Sequence, residues 1–286
     1  MVVTIVGVGL IGGSIALDLR SRGFATRVIG VDKDKQNGLD AIMFGVVDEM
    51  MDLDKAIAVS DIIIISIPVK ATTEILPYIL DRVKPNTVIT DAGSTKKDIC
   101  DVVKKHKNRK QYVAFHPIAG TENFGAKAAL KGLFDAKMGI ICEKAASSPK
   151  AVKLIEKMFE TLNMKLLYME ADAHDMHVAY VSHMPHVISY VLAETVLEVE
   201  KSTSTIFNLA GSGFASTARL GKSPASMWVP IFEQNSKHIS KALDVYIKNL
   251  KRFKDSIDKK DSATMQKDIT SANKIRNVLE GIKTKV

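Results

Sequence analysis

Val2-Val3-Thr4-Ile5-Val6-Gly7-Val8-Gly9-Leu10-Ile11-Gly12 decides the fold. Five β-branched residues read as a strand, and three glycines at G-x-G-x-x-G spacing follow at once. Alone, that spacing is weak. Directly after a strand and opening a helix, it predicts a dinucleotide site. Gly7 permits the tight turn, Gly9 lets the backbone approach a pyrophosphate, and Gly12 lets the helix pack close to the strand. The helix N-terminus then offers free N–H groups and a favourable dipole to the phosphates. Asp32 ends the next apolar run, Arg27–Asp32, about 20 residues past Gly12, where a carboxylate accepts hydrogen bonds from an adenosine ribose. NAD is expected over NADP because Asp32 repels a 2′-phosphate, a repulsion that Lys33 and Lys35 partly offset. Leu10, Ile11, Ser66, Pro68 and Ser94 complete the expected cofactor contacts.

Outward from this unit, strand-like and helix-like segments alternate. Ile62–Ile67 is a continuous apolar run, the pattern of a strand buried on both faces. Thr87–Asp91, Tyr112–Phe115, Met138–Cys142 and Lys165–Tyr168 read as further strands. Helical patterns such as Ala71–Val83 and Pro149–Leu162 lie between them. The alternation predicts a Rossmann-type doubly wound parallel sheet covered by helices. After Tyr168 strand signals stop. Asp172 is expected to cap a long helix running to about Glu200. Further helices are expected over Ser204–Leu209, Ser223–Lys254 and Ser262–Gly281, with Ser223-Pro224 in the cap-then-Pro order of a helix start. Two domains are therefore expected, a dinucleotide-binding domain over 1–170 and an all-α domain over 171–286 that packs directly on it.

The 286 residues suit two such domains, and 46% apolar with 25% charged residues is an ordinary globular balance. No apolar run approaches the roughly 20 residues of a membrane helix. Met1 leads straight into the first strand with no secretory leader. Cys100 and Cys142 sit in unrelated contexts, so a reducing cytoplasm is the expected setting. The formal charge is +8, and many of the Lys and Arg fall between Lys248 and Lys285, spread along expected helices with no aromatic interleaving. That excludes a nucleic-acid module and suits an anionic small-molecule substrate.

Three segments place polar groups at strand ends, where open parallel sheets bind ligands. Asp91-Ala92-Gly93-Ser94-Thr95-Lys96 offers the Ser94 hydroxyl, either as a helix cap or toward a nicotinamide. His116-Pro117-Ile118-Ala119-Gly120-Thr121-Glu122 offers a histidine at a strand end, suited to acid–base work near neutral pH. Ser182-His183-Met184-Pro185-His186 lies inside the long helix, which Pro185 should kink. His174 and His177 lie upstream. No metal-ligand spacing such as H-E-x-x-H joins these histidines, so no metal is expected and a polar helix face toward the cleft is.

Together these residues resemble the prephenate dehydrogenase family of tyrosine biosynthesis. The likeness runs through Gly7-x-Gly9-x-x-Gly12, Asp91-x-Gly93-Ser94-x-Lys96, His116-Pro117-x-Ala119-Gly120-Thr121-Glu122 and His174-Asp175. It continues through Ser182-His183-Met184-Pro185-His186, Gly213-Phe214 with Arg219, and Met227-Trp228. The resemblance implies that His116 takes the proton of the substrate's ring hydroxyl and that Ser94 orients His116 and the nicotinamide. It implies that Arg219 holds a substrate carboxylate, that His186 and His183 contact substrate from the helical domain, and that Thr121 and Glu122 line the pocket. It also implies a homodimer through the helical domains. Two departures stand out. Ala215-Ser216 follows Phe214 where the pattern carries a charged pair, and Val229-Pro230 follows Trp228 in place of Arg–Asp. Two domains fill the chain, leaving no room for a fused chorismate mutase or a regulatory domain.

The expected reaction is the NAD-dependent oxidative decarboxylation of prephenate to 4-hydroxyphenylpyruvate. Arogenate, with an amino group in place of the side-chain keto group, is the alternative substrate. A β-hydroxy acid dehydrogenase would carry a lysine early in the interdomain helix, yet none precedes Lys201. A catalytically silent NAD-binding sensor would have lost His116 or Arg219, and both are present.

Overall fold

The first strand, β1 (Val2–Val6), lies in the middle of an eight-stranded sheet, paired in parallel with β2 (Arg27–Val31) and β4 (Ile62–Ile65). The others are β3 (Glu49–Met50), β5 (Val88–Asp91), β6 (Tyr112–Ile118), β7 (Met138–Cys142) and β8 (Lys165–Met169). The strand order is β3-β2-β1-β4-β5-β6-β7-β8 in a computed structural model that describes residues 1–121, 123–203 and 205–283. Chain order reverses between β1 and β4. That reversal opens a crevice outside the carboxyl ends of the strands, where open α/β sheets take ligands. All four isoleucines of β4 are fully buried because helices cover both faces. Each contributes about 1.5–3 kcal/mol by leaving water. The covering helices are α1 (Leu10–Ser21), α2 (Lys35–Met43), α3 (Leu53–Val59), α4 (Val69–Arg82), α5 (Lys97–Val102) and α6 (Pro149–Thr161).

The sheet departs from the expected parallel pattern at one place: β7 runs antiparallel to β6. The connection explains it. Among the described residues of 119–137 there is no crossover helix, only a 3-10 turn at Ala126–Ala128, and a strand that returns without a crossover pairs antiparallel. This connection lies as a strap over α1 and α2. Ser14 Oγ accepts from the Leu130 N–H at 3.0 Å, the Asp18 carboxylate from Gly132 N–H at 3.0 Å, and Asn37 Oδ1 from Ala126 N–H at 2.7 Å. At Gly13 a Cβ would come within 2.8 Å of Ala129 Cβ, so the strap needs that glycine for its close approach.

Beyond β8 the chain is helical: α7 (Ala171–Val178), α8 (Met184–Thr203), α9 (Ser212–Ala218), α10 (Ala225–Gln234), α11 (Ser236–Asp258), α12 (Ser262–Ala272) and α13 (Arg276–Lys283). Four expectations need correction. Glu170, not Asp172, occupies the cap position of α7, and Asp172 lies in the first turn facing His238 at 3.3 Å. The long helix is interrupted by a π-helical turn at Ala179–His183. Pro185 has no N–H to give and its ring crowds the Val181 carbonyl, which lies inside that turn. The expected helix over Ser223–Lys254 begins at Ala225, with Pro224 at the cap, and breaks at Asn235. The expected helix at Ser204–Leu209 is a 3-10 turn over Ile206–Leu209, and Ser204 lies outside the described residues. Trp228 and Ile231 of α10 share one apolar core with Ile65, Val69, Leu76 and Ala171, so the helical half packs directly on the sheet half. Among the described residues, no helix is long and apolar enough to cross a membrane.

Candidate active site

The glycine turn has the shape the sequence requires. Gly7 takes φ +93°, and a Cβ there would meet the Ser66 carbonyl oxygen at 2.4 Å. At Gly12 a Cβ would meet the Gly7 carbonyl oxygen at 2.2 Å. At Gly9 it would meet nothing within 4 Å. Protein closes in on the first and third glycines, while the second faces open space at the start of α1, which is the room a pyrophosphate needs. Leu10 is buried and Ile11 half-buried beneath the turn, Ser66 is half-buried beside it, and Pro68 is exposed at the cap of α4. Asp32 holds the turn from the side: Oδ2 accepts from the Val8 N–H at 3.1 Å and from Asn37 Nδ2 at 2.7 Å, and Oδ1 accepts from Asp34 N–H at 2.9 Å. These residues fit a dinucleotide.

Next along the strand ends, Asp91 and Lys96 form a fully buried ion pair. Lys96 Nζ also donates to the Phe115 carbonyl at 2.9 Å, and Tyr112 OH donates to Asp91 Oδ1 at 2.6 Å. Every charge in this knot is matched, as a buried ion pair requires. It fixes the end of β5 to β6 and so fixes His116. His116 is buried within β6, opposite Ile140 of β7. Its Nδ1 lies 2.8 Å from His174 Nε2, and His174 Nδ1 lies 2.7 Å from Asp175 Oδ1. Burial first, then the neighbouring His174, Lys96 and His183, hold the His116 ring well below its usual pKa. Burial also lowers His174 against the opposing pull of Asp175. Burial raises the Asp175 carboxyl, but His174 and the backbone N–H groups of Lys97 and Lys96 outweigh it, and the net direction is down. At neutral pH the chain is two neutral imidazoles on a carboxylate.

The helical domain supplies the other wall. Asn235 Nδ2 donates to the Asp175 carbonyl at 2.7 Å and lies 3.0 Å from His183 Nδ1. The reversed amide would set its oxygen against that carbonyl, so Nδ2 is the donor to both. His183 Nδ1 is then an acceptor, and His183 carries its hydrogen on Nε2. That Nε2 and Trp228 Nε1 are both buried with no protein partner. They are two donors in one place, since the His183 and Trp228 rings meet edge to face at 5.9 Å. His186 stacks on Trp228 with ring centroids 3.5 Å apart, and its Nδ1 donates to the Ser182 carbonyl at 2.9 Å. Burial lowers its pKa, and the charge of Arg219 adds to that. Arg219 itself is exposed in the turn after α9.

The structure thus brings His116, His183 and His186 to the seam with His174, Asp175 and Trp228. Ser94 is half-buried in the β5–α5 turn and makes no hydrogen bond to His116 among the described residues; the side-chain partner of His116 is His174. Nor does Ser94 cap α5, whose cap position is Lys96 and whose first N–H groups are taken by Asp175 from the helical domain, Lys96 at 2.8 Å and Lys97 at 2.9 Å. Thr121 is exposed on the strap and accepts from Asn123 N–H at 3.2 Å, and Glu122 lies outside the described residues. Sequence reasoning missed the parts played by Asp175, Asn235 and Asn37. The adjacent His174-Asp175 pair was a usable signal; nothing local marks the two asparagines.

A doubly wound sheet with a glycine turn at its switch point, closed by helices that bring an acid–base cluster to the strand ends, defines the class of two-domain dinucleotide-binding proteins. Within that class the chain belongs to the prephenate dehydrogenase family. Residues 15–168 match the family's nucleotide-binding domain and 170–274 its dimerization domain. The chain is 27% identical over 281 residues to a prephenate dehydrogenase of Lactococcus lactis, covering 97% of this chain and 77% of that one. It is 28% identical to the prephenate dehydrogenase of Aquifex aeolicus in complex with hydroxyphenyl propionate and NAD+, with a TM-score of 0.88 and 98% of each chain covered. It is 25% identical to an arogenate dehydrogenase of Synechocystis, with a TM-score of 0.77, covering 98% of this chain and 100% of that one.

Proposed function

We propose that this chain is an NAD-dependent prephenate dehydrogenase, converting prephenate to 4-hydroxyphenylpyruvate and carbon dioxide. The observation that carries the proposal is the neutral, buried His116 at the carboxyl end of β6, backed by His174 and Asp175, in a chain of this family. Gly7, Gly9 and Gly12 would hold the pyrophosphate, with Leu10, Ile11, Ser66, Pro68 and Ser94 around it and Asp32 toward the adenosine ribose. When bound, NAD supplies the hydride acceptor. Asp32 favours NAD because its carboxylate repels a 2′-phosphate.

His116 takes the proton of the ring hydroxyl as the same carbon gives up its hydrogen. The product of that step is a dienone whose ring carboxylate is vinylogous to a β-keto acid. Its carbon–carbon bond breaks, carbon dioxide leaves, and the electron pair enters the ring. The ring oxygen becomes a phenolate and recovers the proton from His116. Donors at His183 Nε2 and Trp228 Nε1, with His186 and Arg219, would orient the dianionic substrate, and Thr121 and Glu122 would lie at its edge. Orientation of reacting groups is itself worth several kcal/mol.

Helices α8 and α11 leave Val191, Leu197, Val245 and Leu250 exposed in the single chain, which supports a homodimer through the domain matched as the dimerization domain. A cytoplasmic setting belongs to the same proposal and is supported by Cys100 and Cys142, both buried and free. The test is NADH formation by the purified protein with prephenate and arogenate side by side, in the parent and in His116→Asn. The parent should turn over prephenate faster, and His116→Asn should lower kcat by about 10²- to 10⁴-fold. Turnover of arogenate alone would reassign the substrate, and a kcat near the parent's in His116→Asn would remove the base.

A further inference from the structure

His116 is one end of a chain whose hydrogen positions follow from its other end. Asp175 Oδ1 accepts from Lys96 N–H at 2.8 Å and Oδ2 from Lys97 N–H at 2.9 Å. Both N–H groups stand at the start of α5, and an anion is favoured there. Asp175 therefore has no proton to give, and the hydrogen between it and His174, at 2.7 Å, sits on His174 Nδ1. A neutral imidazole carries one N–H, so His174 Nε2 is a bare lone pair. The hydrogen between the two rings, at 2.8 Å, must then sit on His116 Nδ1. His116 Nε2 is left bare. Two backbone N–H groups in the sheet domain, acting through a carboxylate and a histidine of the helical domain, select one tautomer of a histidine back in the sheet domain.

We infer that His174 and Asp175 are positioning residues that present the bare Nε2 of His116 to the substrate hydroxyl and share the proton it receives. The inference rests on His116 being the base of the proposed reaction. The balance is closed. The substrate O–H bond breaks as Nε2–H forms, and the proton on His116 Nδ1 can pass to His174 Nε2, which places the positive charge beside the Asp175 carboxylate. When carbon dioxide leaves, the phenolate takes its proton back from Nε2 and Nδ1 is refilled from His174. No proton is gained or lost over the cycle. The titratable groups facing the chain are Asp91, Lys96 and Asp98 from β5 and α5, Cys142 from β7, and His183 from the π-helical turn. Among the described residues neither Asp91 nor Asp98 hydrogen-bonds a ring of the pair, whereas Asp175 does.

Two substitutions separate the two parts of the role. Asp175→Asn removes the charge and turns an N–H donor against one of the existing donors. It should lower kcat by about 10²- to 10⁴-fold, the range of a lost or misdirected general base, with KM for prephenate near the parent's. His174→Gln can still accept from His116 Nδ1 through its amide oxygen but cannot take a proton. It should lose less, on the order of 10-fold in kcat. In Asp175→Asn the acid limb of the kcat profile should move to lower pH, because the charge shared along the chain has lost its stabilising carboxylate. A merely structural role would lower the amount of active enzyme and leave that limb in place. An independent readout is the ¹⁵N spectrum of histidine-labelled protein, with the His116 signal assigned by its loss in His116→Asn. The neutral ring should be protonated at Nδ1. Binding of NAD to each variant reports folding, and if Asp175→Asn fails to fold, His174→Gln and the parent's spectrum decide. An Nε2-protonated His116, an unmoved acid limb in Asp175→Asn, or a parental kcat in His174→Gln overturns the inference. If His116→Asn is inactive while that happens, only the relay fails; if His116→Asn is active, the base itself fails.

Discussion

Arg219 stands exposed in the turn after α9, yet its charge reaches His186 across the mouth of the seam. An arginine there can grip a carboxylate with two parallel hydrogen bonds, a geometry that lysine lacks. Arg219→Ala should raise the KM for prephenate by about 10- to 100-fold, the worth of hydrogen bonds to a charged group. The Kd for NAD should stay near the parent's, because the glycine turn lies in the other domain, and Arg219→Lys should recover part of the loss. If steady-state kinetics show KM unmoved, or NAD binding falling in step, Arg219 is not the anchor. At this scale the sequence was legible wherever a residue's type is tied to its task. The glycines were readable from sterics alone; His116 was expected just past the strand Tyr112–Phe115, and the structure places it within β6, which runs on to Ile118. The side-chain partner of the His116 ring was not legible, because His174 lies 58 residues away in sequence.

Elements show a different limit. The β1–turn–α1 unit was readable because its determinants are contiguous. The break between α10 and α11 was not, because the nearest helix breaker, Pro230, sits inside α10 and the break falls five residues later. The cause is tertiary: the Asn235 side chain is drawn into the seam, where it joins the Asp175 carbonyl to His183 Nδ1. Asn235 is buried, so Asn235→Leu would leave His183 Nδ1 without its donor, while the Asp175 carbonyl keeps the Ala179 N–H. It should destabilise the protein by roughly 1–3 kcal/mol, the cost of one buried group left unsatisfied. Urea unfolding followed by tryptophan fluorescence would measure it, since the single tryptophan, Trp228, lies on the neighbouring turn of α10. A midpoint equal to the parent's would mean that Asn235 only marks the break. The antiparallel β7 escaped notice for a related reason: the sequence shows strands, while direction depends on whether what joins them crosses over.

For the whole molecule, the seam gathers four histidines whose pKa values all lie below the ordinary value, each mainly through burial. A histidine that is harder to protonate when folded binds fewer protons than in the unfolded chain. Its contribution is therefore complete above the unfolded pKa, about 6.5, and is lost as pH falls toward the folded value. For His183 that value is about 4. From this one residue the loss by pH 5 should be about 2 kcal/mol. Urea midpoints at pH 7 and pH 5 should show it, and His183→Gln should show a smaller difference. Equal midpoints for the parent at the two pH values would contradict the burial of neutral histidines at the seam.

The strap over α1 and α2 has a consequence in time. Its backbone is anchored to Ser14, Asp18 and Asn37, which precede their partners by 116, 114 and 89 residues. It has no ladder of its own, so it gains order only by docking on a surface that must already exist. Closing loops of that length is costly before any contact rewards it. The order of assembly follows: β1, α1 and β2 first, the strap afterwards. During synthesis those anchors emerge first and wait for the strap.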